Sequence, residues 1–337
     1  MPAATDEKFS TEEIEQTADE LYQKVGDTKT RFECRVFAPK ILEIERLKKE
    51  KNAVVLGHNY QVPEVFHGIS DFTGDSLGLS NKAAESDADI IVFCGVNFMA
   101  ESAKIMNPDK KVLLPSLKAG CSLSESITGQ DVRDLKEEHP GVPVVTYVNT
   151  TAEVKAESDY CCTSANALNV IEHVDSDRVI FIPDQYLSEN VARKTDKEII
   201  TWDGRCVVHE EFTPQDIQYH RNTFDDLAVL AHPECSSDVV DEADFTGSTS
   251  EMINYVGQVD NDQIMMITEC SMSDNVKEKY PEKQFVSTCV TCPHMKEITL
   301  DRTLKCLREE EPEIQVPEDV RVRAKEALDR MVEIGRG

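Results

Sequence analysis

Short, unbroken apolar runs recur along this chain, each ending in polar residues. AVVLGHNYQ begins at Ala53, PVVTYVNTT at Pro143 and LAVLAHPEC at Leu227. A second set follows: DIIVFCGV from Asp89, RVIFIPD from Arg178 and QIMMITE from Gln263. Runs without strict alternation predict strands covered on both faces. Hydroxyl-rich turns that enter helices lie between them: TGDSLGLS from Thr73, CTSANALN from Cys162 and TGSTSEMI from Thr246. After the second runs come helical segments of one pattern: FMAESAKIM from Phe98, YLSENVARK from Tyr186 and SMSDNVKEK from Ser271. Their acids Glu101, Glu189 and Asp274 fall in register and read as caps or interface groups. A third extended stretch then runs into Cys121, Cys206 and Cys292.

These features form an internal repeat, the strongest architectural signal a single sequence gives. The three cysteines stand 85 and 86 residues apart. The steps from His58 to Ser76, Asn149 to Ser164 and Glu234 to Ser248 are 18, 15 and 14 residues. Alternating strands and helices imply parallel strands with crossover helices. The expected fold is therefore α/β: three similar units with short parallel sheets around a pseudo-threefold axis. The expected boundaries are 1–122 for an N-terminal helix plus the first unit, 123–210 for the second, 211–300 for the third, and 301–337 for a C-terminal helical segment packing on the first. Ser10 and Glu13 form a capping-box signature opening a helix that runs to about Val25. In parallel sheets chemistry gathers beyond the carboxyl ends of the strands. The polar tails His58, Asn59, Tyr60, Tyr147, Asn149, His232 and Glu234, with the three cysteines, should sit there.

Composition narrows the function. With 64 acidic against 36 basic residues the net charge is −28, which opposes nucleic-acid binding. No apolar run approaches a membrane span, and no N-terminal stretch resembles a signal peptide. Eleven cysteines without such a signal point to a reducing, cytoplasmic setting, where thiols serve metals or catalysis. The acids are dispersed over the chain, as in a protein kept soluble in concentrated salt.

Cys121, Cys206 and Cys292 alone among the cysteines occupy equivalent repeat positions. Three thiolates with no fourth in register fit a [4Fe–4S] cluster with one iron open to act as a Lewis acid. Zinc with three cysteines and a water is the alternative. Cys289 forms a CxxC with Cys292 and competes with it as ligand. Cys94, Cys161 and Cys162 read as packing residues.

At this point a family is recognisable. GHNYQVPEV, ADFTGDSLGLS, GVNFMAESAKIMNPDKKVLLP, AGCSL, YVNTTAEVKA, DGRCVVHE, HPEC, TGSTSEM and CPHMK occur in order over roughly residues 35 to 300. The chain resembles the quinolinate synthases, iron–sulfur enzymes of de novo NAD biosynthesis. That resemblance implies three α/β units sharing one [4Fe–4S] cluster on Cys121, Cys206 and Cys292. It implies condensation of iminoaspartate with dihydroxyacetone phosphate, releasing phosphate and two waters to form quinolinate. An aspartate oxidase or dehydrogenase would supply the iminoaspartate. By the same resemblance His58, His209 and His232 bind carboxylate or phosphate oxygens, and Ser76, Ser248 and Thr249 bind substrate or phosphate. For Ser164, substrate binding and plain helix capping weigh equally. Tyr60 and Glu234 are the candidates for proton transfer, with Glu234 expected to have a raised pKa in a closed pocket near anions. Tyr147 and Asn149 would orient substrate beside the cluster; Lys296 and Lys118 could meet phosphate, with plain exposure the default reading for Lys118.

The acidic surface generates a first expectation. Salt screens self-repulsion within a Debye length, so the urea midpoint should rise from low to molar KCl. Full stability and activity in low salt would remove the high-salt reading.

Overall fold

A computed structural model describes residues 8–286 and 289–334. Twelve strands make three sheets. The first holds β1 (Ala53–His58), β2 (Phe72–Gly74), β3 (Ile90–Cys94) and β4 (Lys111–Leu113). The second holds β5 (Val144–Tyr147), β6 (Tyr160–Cys162), β7 (Arg178–Ile182) and β8 (Glu198–Thr201). The third holds β9 (Leu227–Ala231), β10 (Phe245–Thr246), β11 (Gln263–Ile267) and β12 (Gln284–Val286). Strand order is the same in each, β2-β1-β3-β4, β6-β5-β7-β8 and β10-β9-β11-β12. Every pairing is parallel. The three α/β lobes are thus copies of one topology. The apolar runs became central strands because helices cover both faces: all five residues of β3 and of β9 are buried.

One contact marks the repeat and corrects its register. The side chain of Asp71 accepts a hydrogen bond from Val55 N at 2.8 Å, and Asp71 N donates to Val55 O at 2.9 Å. Asp159 does the same with Val144 at 2.8 and 2.9 Å, and Asp244 with Val229 at 2.8 and 2.8 Å. Each aspartate thus fastens the entry to the lobe's second strand onto the first. Val55, Val144 and Val229 are therefore equivalent, which shifts the second copy by one residue from the side-by-side reading of the runs. Pro143 opens that apolar run but lies outside β5. In the structural register Tyr60, Asn149 and Glu234 occupy one and the same position, as do His58, Tyr147 and His232. Ser76, Ser164 and Thr249 are likewise equivalent.

The ends wrap the lobes. Ser10 caps Thr11–Val25 through the reciprocal box with Glu13. The helix Leu300–Glu309 packs on the helix Arg31–Glu50 and on β3 of the first lobe. The chain then runs along β4, with Ile314 N donating to Val112 O at 2.8 Å. The last helix, Glu318–Ile334, packs mainly on the second lobe, against the helix Ala152–Glu157 and β6. Its buried face is Ala324, Ala327, Leu328 and Met331. The first lobe, part of the second and these terminal helices share one apolar core, the second lobe keeps a further small core of its own, and the third lobe has separate cores on its two sheet faces.

Asp244→Ala should remove the charge-assisted hydrogen bond to β9 and lower unfolding stability by about 1–2 kcal/mol. Urea denaturation at neutral pH reads this directly.

Candidate active site

The carboxyl ends of the three sheets face one another, and the space between them is a cavity. Its wall includes His58, Tyr60, Ser76, Tyr147, Asn149, Ser164, His209, His232, Glu234, Ser248 and Thr249, together with Cys121, Cys206 and Cys292. The repeat explains the convergence, because each lobe contributes the tail of its first strand, the hydroxyl turn after its second and the cysteine beyond its fourth.

Glu234 is the hub. Tyr147 Oη donates to Glu234 Oε1 at 2.5 Å, and His209 Nδ1 lies 3.0 Å from Oε2. His232 Nδ1 lies 3.6 Å from Oε1. His209 Nε2 meets Thr268 Oγ1 at 3.0 Å, and Thr268 shares a 2.5 Å hydrogen bond with the Tyr60 hydroxyl. A continuous chain therefore runs Tyr60–Thr268–His209–Glu234–Tyr147 through all three lobes. Burial alone would raise the Glu234 pKa, but His209 and the hydrogen bonds from His209 and Tyr147 outweigh it. The carboxyl is held well below its usual range, opposite to the raised value expected from sequence. Burial and the charge of Glu234 push the neighbouring Asp184 up instead. The two tyrosines are likewise driven up by burial and by Glu234, so both are phenol donors.

Burial lowers His58 to about 4 and His232 to about 3, so both imidazoles are neutral near pH 7. His232 stacks on His209 at 4.7 Å between ring centroids. His58 Nδ1 accepts from Tyr60 N at 3.2 Å, which leaves its other nitrogen to a ligand. Ser76 opens the helix Ser76–Glu85, and Thr249 opens Thr249–Val256 behind the capping box of Ser248 and Glu251. Helix starts direct backbone N–H groups outward and favour anions. Asn59 Nδ2 donates to Thr249 Oγ1 at 2.9 Å, and Ser250 Oγ to Asp75 Oδ2 at 2.5 Å, joining the first and third lobes beside these starts.

No lysine or arginine is among the described residues of the wall. Lys118 is exposed. Lys296 lies behind the wall, bonded to Glu269 at 2.6 Å, Ser271 at 2.6 Å and Tyr60 O at 3.1 Å. Lys118 thus follows its default reading, and Lys296 does not take a phosphate-facing position on the wall. Sequence reading missed Thr268 and Asp75. Thr268 directly follows β11, so the polar tails of the second apolar runs carried a signal that only those of the first were used for.

Cys121, Cys206 and Cys292 come from three lobes to one wall. Burial pushes Cys121 up to about 12 and raises Cys206 and Cys292 as well, so a bound metal would have to displace their protons. Cys289 is exposed, with its sulfur 3.0 Å from Cys270 and outside the cavity wall. Among the described residues, the group whose donor atoms all lie within 4.8 Å of one another is Cys206, His209 and Glu234. Cys121, Cys206 and Cys292 share one wall with that group, and thiols are donors that suit an iron–sulfur cluster or zinc.

Fold and site define a class: a three-lobed α/β enzyme in which a thiol-lined metal site adjoins a buried, ionised carboxylate. Residues 42–333 match the family model described as NadA, quinolinate synthetase A protein, and the chain belongs to that family. Quinolinate synthase of Caulobacter vibrioides (strain NA1000 / CB15N) is 52% identical over 96% of this chain and 89% of its own. That of Sinorhizobium fredii (strain NBRC 101917 / NGR234) is 52% identical over 93% and 88%. Quinolinate synthase 2 of Mesorhizobium japonicum (strain LMG 29417 / CECT 9101 / MAFF 303099) is 50% identical over 95% and 99%. The family is iron–sulfur dependent. Among the described residues, no helix is long and apolar enough to cross a membrane.

The buried imidazoles set a pH dependence. The unfolded chain protonates them near the ordinary 6.5, the folded chain only near 4 and 3. Between those values the unfolded state binds more protons, so stability falls as pH drops from 6.5. The urea midpoint should decline from pH 7 to 5, and a His58→Asn/His232→Asn variant should flatten that decline.

Proposed function

We propose that this protein condenses iminoaspartate with dihydroxyacetone phosphate and releases phosphate and two waters to leave quinolinate. The observation that carries the reading is one cavity in which thiols from three lobes meet an ionised, hydrogen-bonded Glu234. Both substrates are anions, and neutral donors line the cavity. The helix starts at Ser76 and Thr249 suit the phosphate, with Ser164 and Ser248 beside them. His58 and His232 suit carboxylate oxygens as neutral hydrogen-bond donors. Asn149 and Tyr147 flank the same space and orient a carbonyl or hydroxyl.

Glu234 is deprotonated at the cavity wall and so is available to accept a proton from carbon, although its depressed pKa makes it a weak base. The proton then has a path through His209 and Thr268 to the Tyr60 phenol, which can protonate a departing hydroxyl. Cys121, Cys206 and Cys292 would hold a [4Fe–4S] cluster, which when bound supplies a Lewis-acidic iron for a substrate oxygen. Eleven cysteines in one chain suit a reducing cytoplasm, where thiols serve metals or catalysis. Iminoaspartate would come from an aspartate oxidase or dehydrogenase acting upstream.

Anaerobic purification tests the cofactor: brown protein with about four irons per chain supports it, and colourless protein holding zinc sinks it. Quinolinate formation from the two substrates tests the reaction. Cys206→Ser should abolish both colour and activity. Glu234→Gln should keep the iron yet lower kcat by about 10²–10⁴-fold, and a fully active variant would defeat the proton role.

A further inference from the structure

Tyr60, Asn149 and Glu234 share one structural position, and the carbonyls on either side of each are held by a single side chain. Asn190 Nδ2 donates to Pro233 O at 3.0 Å and Cys235 O at 2.9 Å, bracketing Glu234. Asn275 Nδ2 donates to Asn59 O at 3.0 Å and Gln61 O at 2.8 Å, bracketing Tyr60. Lys155 Nζ donates to Val148 O at 2.8 Å and to Thr150 O, bracketing Asn149. All three side chains are buried.

The two asparagines are equivalent residues. Each is sixth in the helix after its lobe's third strand, Gln185–Ala192 or Cys270–Val276. Each reaches out of its own lobe, from the second to the third and from the third to the first. The sixth residue of the first-lobe helix Asn97–Met106 is Ser102, whose hydroxyl turns back to Phe98 O. It is too short to cross, and Lys155 of the second lobe takes over locally. The loop is therefore held in every copy although the donor has changed chemistry. An amide with both N–H groups aimed at two carbonyls two residues apart fixes the peptide planes between them, and with them the direction of the intervening side chain.

We infer that Asn190 and Asn275 are positioning residues for the reaction, setting Glu234 and Tyr60 from the neighbouring lobe, with Lys155 as the counterpart for Asn149. Neither asparagine lines the cavity, so each acts only through the residue it brackets. The inference rests on the proton roles proposed for Glu234 and Tyr60. Quinolinate formation by the wild-type holoenzyme establishes those conditions first, and its absence would count against the reaction rather than the clamps.

The test is a pair of double-mutant cycles on anaerobically loaded enzyme: Asn190→Ala with Glu234→Gln, and Asn275→Ala with Tyr60→Phe. Each alanine variant should keep its iron, hold KM within about threefold, and lose about tenfold or more in kcat. In the Glu234→Gln or Tyr60→Phe background the same alanine change should cost under about twofold, since residues acting as a unit are non-additive. Asn190→Gln, which keeps the amide donors, should regain part of the rate. Equal losses in both backgrounds, unchanged kcat in the single variants, or loss of fold in both alanine variants would overturn the inference and leave the asparagines as structural residues.

Discussion

The site is organised around one buried negative charge. Glu234 is almost wholly inaccessible, at 3% exposure, and a lone carboxylate there would cost several kcal/mol. Its stabilising partners are not local. Tyr147 and His209 come from the second lobe, and Thr268 links His209 to Tyr60 of the first. Movement of the second lobe away from the third would strand the charge. The closed arrangement of three lobes and the ionised state of the carboxylate are thus mutual conditions.

The scaffold that makes this possible is repetitive where it bears load and divergent where it does chemistry. Asp71, Asp159 and Asp244 make the same pair of hydrogen bonds in every lobe, so the first strands end at matching places. The residue two beyond each strand's matched His58, Tyr147 or His232 is free to differ once its flanking carbonyls are held. At the shared position stand a phenol, an amide and a carboxylate. An asymmetric set of substrates needs that asymmetry, and threefold architecture supplies three addresses for it.

Much of this was legible in the sequence. The covered strands were readable because parallel sheets between helices demand unbroken apolar runs, and the cysteine stride marked the repeat. The register of the second copy was misread because Pro143 continues an apolar run that the strand itself does not use. The charge state of Glu234 was misread for a different reason. Burial was foreseeable from the sequence, but the His209 imidazole and the Tyr147 phenol that overcome it lie on other segments of the chain. Lys296 illustrates the same limit. Its motif placed it near the site, while its partner Glu269 drew it behind the wall.

The treatment of cations ties the surface to the cavity. Several lysines of this strongly acidic chain are occupied by backbone carbonyls: Lys155 at Val148 and Thr150, Lys48 at Ile69, Lys197 at Ile171 and Lys283 at Val259 and Asn261. None is left on the cavity wall. Anionic ligands must then be gripped by helix starts, hydroxyls and neutral imidazoles. Those donors act at short range within a closed space, where dissolved ions screen poorly. A lysine-based site at the mouth of such a pocket would weaken as salt rises. The arrangement found here keeps its hold on anions under the same ionic strength that quiets the repulsion of the acidic exterior, so one solvent condition serves both the surface and the site.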